Sequence, residues 1–162
     1  MSKHSCSALL FKNVEKGLGA VEILLVCEPN LSSGDKDGWR WSLPGGKCCD
    51  KSGGDCCDEM PEATITRECK EETGYDILPK KLVLVEDKTS PETGARYKRY
   101  AFFVTVIGGE PLRKRVFTQE TSKWFPLNQL PRNLFVSHNK LIKDFVLFSL
   151  VVNQPMKQKA RR

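Results

Sequence analysis

The chain has little histidine, little methionine and no long apolar run: two histidines and three methionines in 162 residues, with its longest nearly apolar stretch, 145–152, broken by Ser149. That stretch falls far short of the ~20 residues that cross a bilayer, so no membrane span is expected. The N-terminus offers four consecutive apolar residues, Ala8 to Phe11, and no cleavage pattern, so no signal or transit peptide is evident. Repeats, low-complexity tracts and a composition shift marking a second domain are also lacking. A soluble protein of the cytoplasm, or of the nucleus, is the expectation. Adjacent cysteines replace the Cys-x-x-Cys spacing of a zinc site: Cys48-Cys49 and Cys56-Cys57 flank a polar loop, a poor arrangement for one tetrahedral ion. Free thiols are expected for the seven cysteines, with zinc and redox roles as the lesser readings. Neither histidine is well placed for catalysis, since His4 precedes the first expected strand and His138 follows the cap of the last helix.

What remains is the composition of an ordinary folded domain, 40% hydrophobic and 28% charged, with a mean hydropathy of −0.40. The length fits one unit, expected over 1–152 and followed by a basic tail, 153–162. Lysine and arginine number 26 against 20 acidic residues, a net +6, and part of the excess gathers at Arg96–Arg99, Arg113–Arg115 and Lys157–Arg162. Fixed cationic clusters suit a polyanionic partner.

Branched residues at 7–12 and 20–27 predict two strands joined as a hairpin through the polar turn 13–19. Trp39 to Leu43 predicts a short aromatic strand, ended by Pro44-Gly45-Gly46, where the backbone can approach a ligand. Residues 61–73 read as a helix, with Pro61 at its first position and Gly74 as its stop. Strand composition returns at 82–86, 97–107 and 121–126, and alternation in the second places Arg96, Lys98 and Tyr100 on one face and Tyr97 and Arg99 on the other. One cationic row is expected to face a cleft. A turn follows near 127–131, and Ser137 serves as the expected N-cap of a last helix. Interleaved strands and helices favour a layered α/β or α+β domain. The three tryptophans, Trp39, Trp41 and Trp124, are expected in the core or in a cleft wall.

Within the 61–73 helix, Glu68, Glu71 and Glu72 stand at i, i+3 and i+4 and project from nearly one face. Like charges at this spacing cost a few tenths of a kcal/mol even on an exposed helix, and the last two lie near the negative end of the helix dipole. Two compensations fit. Arg67 and Lys70 with solvent suffice on one reading; on the other a divalent cation is held, since magnesium takes oxygen ligands from one or two carboxylates and substrate phosphates.

Gly53-(x)5-Glu59-(x)7-Arg67-Glu68-Cys69-Lys70-Glu71-Glu72-Thr73-Gly74-Tyr75 resembles the Nudix box, and Trp41-Ser-Leu43-Pro44-Gly45-Gly46-Lys47 is similar to the strand and glycine pair that lead into it. The resemblance implies a Nudix αβα sandwich with a mixed sheet between helices. It also implies hydrolysis of a phosphoanhydride with Mg2+ (or Mn2+) held by Glu68, Glu71 and Glu72, assisted by the Gly46 carbonyl and with Arg67 orienting the glutamates. Gly46 rather than Gly53 takes the place of the box glycine, which puts the cysteine loop in an insertion. Glu68, Glu71, Arg67 and Glu120 are the implied catalytic residues, and Glu59 is a further candidate for the metal shell. Cys69 replaces the usual leucine, and Met60 stands where a capping hydroxyl is common.

For the substrate, Lys47, Arg96, Lys98, Arg99 and Arg115 are the candidate phosphate-binding residues. The stretches around Tyr97–Phe103 and Trp124–Leu127 are similar to diphosphoinositol polyphosphate and dinucleoside polyphosphate hydrolases, which points to a polyphosphorylated small molecule. Pro91, sixteen residues after Tyr75, resembles ADP-ribose pyrophosphatases. An RNA 5′ end, capped or triphosphorylated, ranks third, and a module that binds nucleotide or RNA without cleaving it is the reading from another class.

Overall fold

The computed structural model describes residues 3–29, 38–48, 59–90, 93–112 and 122–152. Its centre is β1, His4–Lys12. Cys6, Ala8 and Leu10 face one side of the sheet and Leu9 the other, all of them buried, so this strand is apolar on both faces as a central strand must be. It runs parallel to β6, Arg96–Gly109, from His4↔Lys98 to Leu10↔Val104, and antiparallel to β4, Gly45–Lys47. The mixed order is β3 (Trp39–Ser42), β2 (Glu22–Pro29), β1, β6, β5 (Tyr75–Thr89), with β4 added to β1 and β7 (Ser122–Pro126) to β2.

The expected hairpin of the first two strands forms, but it is short. β2 (Glu22–Pro29) meets β1 only at Phe11↔Ile23 and Lys12↔Glu22, then turns away to pair with β3 (Trp39–Ser42) and β7 (Ser122–Pro126). β5 spans Tyr75–Thr89, far longer than the expected 82–86, and pairs antiparallel with β6 through three register shifts. Its outer residues are polar or bulged, so composition revealed only the apolar centre.

Helix α1, Pro61–Thr73, has the expected bounds. No side chain caps its start at Met60, and Gly74, at φ 80°, closes it with an N–H donated to the Lys70 carbonyl. Ile65 and Cys69 pack it on Cys6, Ala8, Leu10, Phe102 and Val104. Helix α2, Val136–Val152, covers the opposite face, where Leu141 and Ile142 meet Leu9, Ile23, Leu25 and Ala101. Ser137 lies inside this helix rather than at its cap. Two helices sandwiching a mixed sheet is the expected architecture, and among the described residues no helix is long and apolar enough to cross a membrane.

Candidate active site

The sheet brings the glycine pair under α1. Because β4 pairs with β1 at Cys6↔Gly46 and Ser7↔Gly45, the glycine backbone is fixed beside the helix face that carries the glutamates. Glu68 lies against Gly46 so closely that a Cβ there would stand 2.5 Å from its carboxylate. Only glycine permits that approach. Gly45 donates its N–H to Glu72 Oε2 at 2.8 Å. Two carboxylates from one helix thus close on two neighbouring glycines of one strand.

Arg67 holds the acids in register. It donates to Glu68 at 2.8 Å, to Glu71 at 3.4 Å, to both oxygens of Glu59 at 3.1 Å and to the Lys47 carbonyl at 3.2 Å. Hydrogen bonds from Arg67 hold the Glu59 carboxyl below the usual carboxylate range, and the same bonds raise the guanidinium above its own. Glu59 also accepts from the Thr64 hydroxyl at 3.0 Å, and that oxygen in turn meets His4 Nε2 at 3.0 Å. Glu59, a candidate for the metal shell, is here the clamp of Arg67. The expected place of His4 is corrected: it is a buried residue of β1 itself.

Glu72 is the acid under most strain. Burial, with Glu68, Glu28 and Glu71 nearby, pushes it up to about 8 against the lowering effect of the Gly45 N–H. Burial, with Cys48 and three glutamates nearby, likewise pushes the Cys6 thiol up to about 12, and Cys6 Sγ donates to the Pro61 carbonyl. Cys69 is fully buried. Cys6, Cys27 and Cys69 are free thiols, and Cys48 Sγ accepts the His4 N–H at 3.2 Å. Cys49, Cys56, Cys57 and Gly53 lie outside the described residues.

Among the described residues no three acidic, histidine or cysteine side chains close into a complete metal shell. The donor set instead offers the Glu68 and Glu72 carboxylates and the Gly46 backbone, all oxygens. A hard cation that keeps several waters and takes the rest of its shell from phosphates fits such a set. An acid pushed up by buried neighbouring acids is what a cation relieves.

The candidate phosphate-binding residues divide. Lys98 is paired with Asp87 at 3.1 Å and Arg96 is exposed at the start of β6, so the expected cationic row is half neutralised. Arg99 points to the other face, only 8% exposed. It donates to Glu86 at 3.3 Å, while its Nη2 is buried with no partner among the described residues. Ser5 pairs with Lys47 on one side and Arg99 on the other, so these three positions form one row across three strands. Lys47 is exposed; Arg115 and Glu120 lie outside the described residues.

His138 was missed as a structural residue. Its Nδ1 accepts the Leu43 N–H at 3.0 Å, tying α2 to the segment that enters the glycine pair. Burial, then the charges of Arg99 and Arg40, lower it to about 3, so it is neutral in the folded protein. Trp41 packs edge-on against Phe125 at 4.7 Å, and Trp124 meets Tyr75 at 6.3 Å with Lys12 over its ring, so both serve as packing residues. No pattern near His138 signals its partner, since the two lie 95 residues apart.

A helix of acids closed on a glycine strand within an αβα sandwich is the arrangement that the fold and the site define together. The NUDIX domain model matches residues 5–145, and the chain belongs to that family. An ADP-ribose pyrophosphatase of Methanocaldococcus jannaschii is 37% identical over 108 residues, which cover 65% of this chain and 57% of that protein. The chain thus matches little more than half the length of this curated relative. A NUDIX hydrolase from Nitrosomonas europaea superposes with a TM-score of 0.63 at 21% identity, covering 96% of this chain and 97% of that one. An ADP-ribose pyrophosphatase from Streptococcus suis superposes with a TM-score of 0.61 at 25% identity, covering 95% and 94%.

Proposed function

We propose that this chain is a Mg2+-dependent pyrophosphohydrolase, with Mn2+ as an alternative ion, that cleaves a phosphoanhydride bond in a dinucleoside polyphosphate or diphosphoinositol polyphosphate. The observation that carries the activity is the contact of Glu68 with Gly46 under the Arg67 clamp. Glu68, Glu72 and the Gly46 carbonyl would hold the ion, which when bound screens phosphate oxygens and lowers the pKa of a water. Arg67 keeps Glu68 and Glu71 from recoiling. Glu71, half exposed at the rim, is positioned to take the proton as a water oxygen bonds to phosphorus and the phosphoanhydride P–O bond breaks. Glu120 is the second candidate for that role.

The row Lys47-Ser5-Arg99, with Lys47 exposed at its edge, supports a substrate carrying more phosphates than the reacting pair. A second reading, ADP-ribose cleavage, is favoured by the name of the 37% identical relative. Phosphate release measured with Mg2+ or Mn2+ over dinucleoside polyphosphates, diphosphoinositol phosphates, ADP-ribose, nucleoside triphosphates and capped RNA separates these substrates. Turnover is expected to be fastest on the first two. Replacing Glu71 and Glu72 together by Gln should abolish it while circular dichroism is unchanged; undiminished hydrolysis by that variant would reject the site. Tight binding without turnover of any of them would instead mark a binding module.

A further inference from the structure

β5 is the last strand of the sheet: its inner edge pairs with β6, and among the described residues nothing pairs with its outer edge. A long strand with a bare edge is a template for another chain unless it is interrupted or charged. Here the strand carries both register shifts and charges, but the charges are arranged so that they complement a second copy. Lys80-Lys81-Leu82-Val83-Leu84-Val85-Glu86-Asp87 is antisymmetric about its centre, with two cations, four apolar residues and two anions. Read against a second copy running antiparallel, every cation meets an anion and every apolar residue an apolar one.

The side-chain faces agree with the charges. Leu82 lies opposite Phe102 and Val85 opposite Tyr100, so both belong to the α1 side of the sheet, and they are 45% and 47% exposed. Val83 and Leu84 both pack on the α2 side, where a register shift turns them to the same face. Lys81 lies opposite Phe103, a ring stacked on Phe11 and Phe145 of the α2 side, and Glu86 meets Arg99 on that side. Leu82 can therefore face Val85 of the second copy on one side of the sheet while Lys81 faces Glu86 on the other. Sliding the pair by one residue sets side chains of opposite faces against each other, and sliding it by two sets a lysine against Leu84.

We infer that the outer edge of β5 is an interaction surface for a second copy of this chain, paired antiparallel about a two-fold axis between Val83 and Leu84. The contact is isologous and closes at two copies, so it extends the sheet through the dimer without generating a filament. The cross-strand Leu82–Val85 pairs, formed twice, bury apolar surface now open to water, and the lysine–carboxylate pairs fix the register. Asp87, already beside Lys98 of its own chain, is exposed enough to accept a second cation.

The test uses the full chain and reads mass by light scattering and sedimentation. Dimer is expected at concentrations up to about 100 µM. Leu82→Glu and Val85→Lys, both at exposed positions outside the active site, should each weaken association at least tenfold while leaving circular dichroism unchanged. An equimolar mixture of the two variants should regain the dimer, because the carboxylate introduced in one chain then faces the ammonium introduced in the other and the remaining Leu82–Val85 pair is intact. A monomeric wild type overturns the inference. So does a dimer indifferent to both substitutions, which would place the contact elsewhere, or a mixture that fails to recover, which would refute the register.

Discussion

The two faces of the same sheet handle buried charge in opposite ways. On the α1 side, several carboxylates share one arginine: Arg67 reaches Glu59, Glu68 and Glu71, and Glu72 has, among the described residues, the Gly45 N–H. On the α2 side, among the described residues, one buried arginine meets a single carboxylate, Glu86, and its Nη2 has no partner. The first face is short of positive charge and the second short of negative charge. On the function proposed above, an ion would answer the first deficit and a substrate phosphate the second, at the two faces of a strand only three residues long, Gly45–Lys47.

The strongest way to break the α1 side is to remove a carboxylate that has no substitute. Glu68→Gln or Glu72→Gln should lower turnover by roughly 10²–10⁴-fold with little change in KM, measured by steady-state phosphate release under saturating Mg2+. The acceptor of the Gly45 N–H survives in Glu72→Gln, so the fold is retained. Next in size, Gly46→Ala places a methyl group against Glu68 and should cost about 1–3 kcal/mol in denaturant unfolding, with turnover falling as the carboxylate is displaced. Arg67→Ala removes the guanidinium that Glu59, Glu68 and Glu71 share and should cost about 2 kcal/mol, less than for a fully buried pair because the guanidinium is a third exposed.

The α2 side is tested by a smaller, pH-dependent effect. His138 is held near 3, below its ordinary value of 6.5, so the folded protein binds fewer protons there than the unfolded chain. Its contribution to stability is complete above pH 6.5 and is lost as pH falls toward 3. Melting temperatures should decline over that window, and His138→Gln, which can still accept the Leu43 N–H, should flatten the decline. Glu72 acts with the opposite sign: raised to about 8, its contribution is complete below pH 4.5 and is lost as pH rises through 8. In the metal-free protein Glu72→Gln should therefore gain on wild type toward alkaline pH.

Much of the α1 side was legible because it is local. The bounds of α1, the shared face of Glu68, Glu71 and Glu72, the unaided start at Met60 and the closing turn at Gly74 all follow from residues within a few positions of one another. Gly46 could be preferred over Gly53 on resemblance, and its place against Glu68 agrees. The role of Glu59 was not legible. Its carboxylate could reach a cation or an arginine, and the choice depends on how the chain preceding α1 returns to it. The α2 side was harder still. Alternation put Arg99 on a different face from Arg96 and Lys98, but not which face is buried, and Lys98 was claimed by Asp87 from a neighbouring strand.

By itself the sequence determined the acidic helix, its arginine, the glycine pair and thereby the family, because helical periodicity and turn chemistry are encoded over short spans. Only the tertiary structure decided what those groups meet. The parallel β1–β6 pairing sets Arg99 beside Ser5, the β4 pairing presses Gly46 onto Glu68, and α2 carries His138 to Leu43. Each of these contacts joins residues far apart in the chain, where register and burial arise from the packing of the whole sheet and not from any local preference.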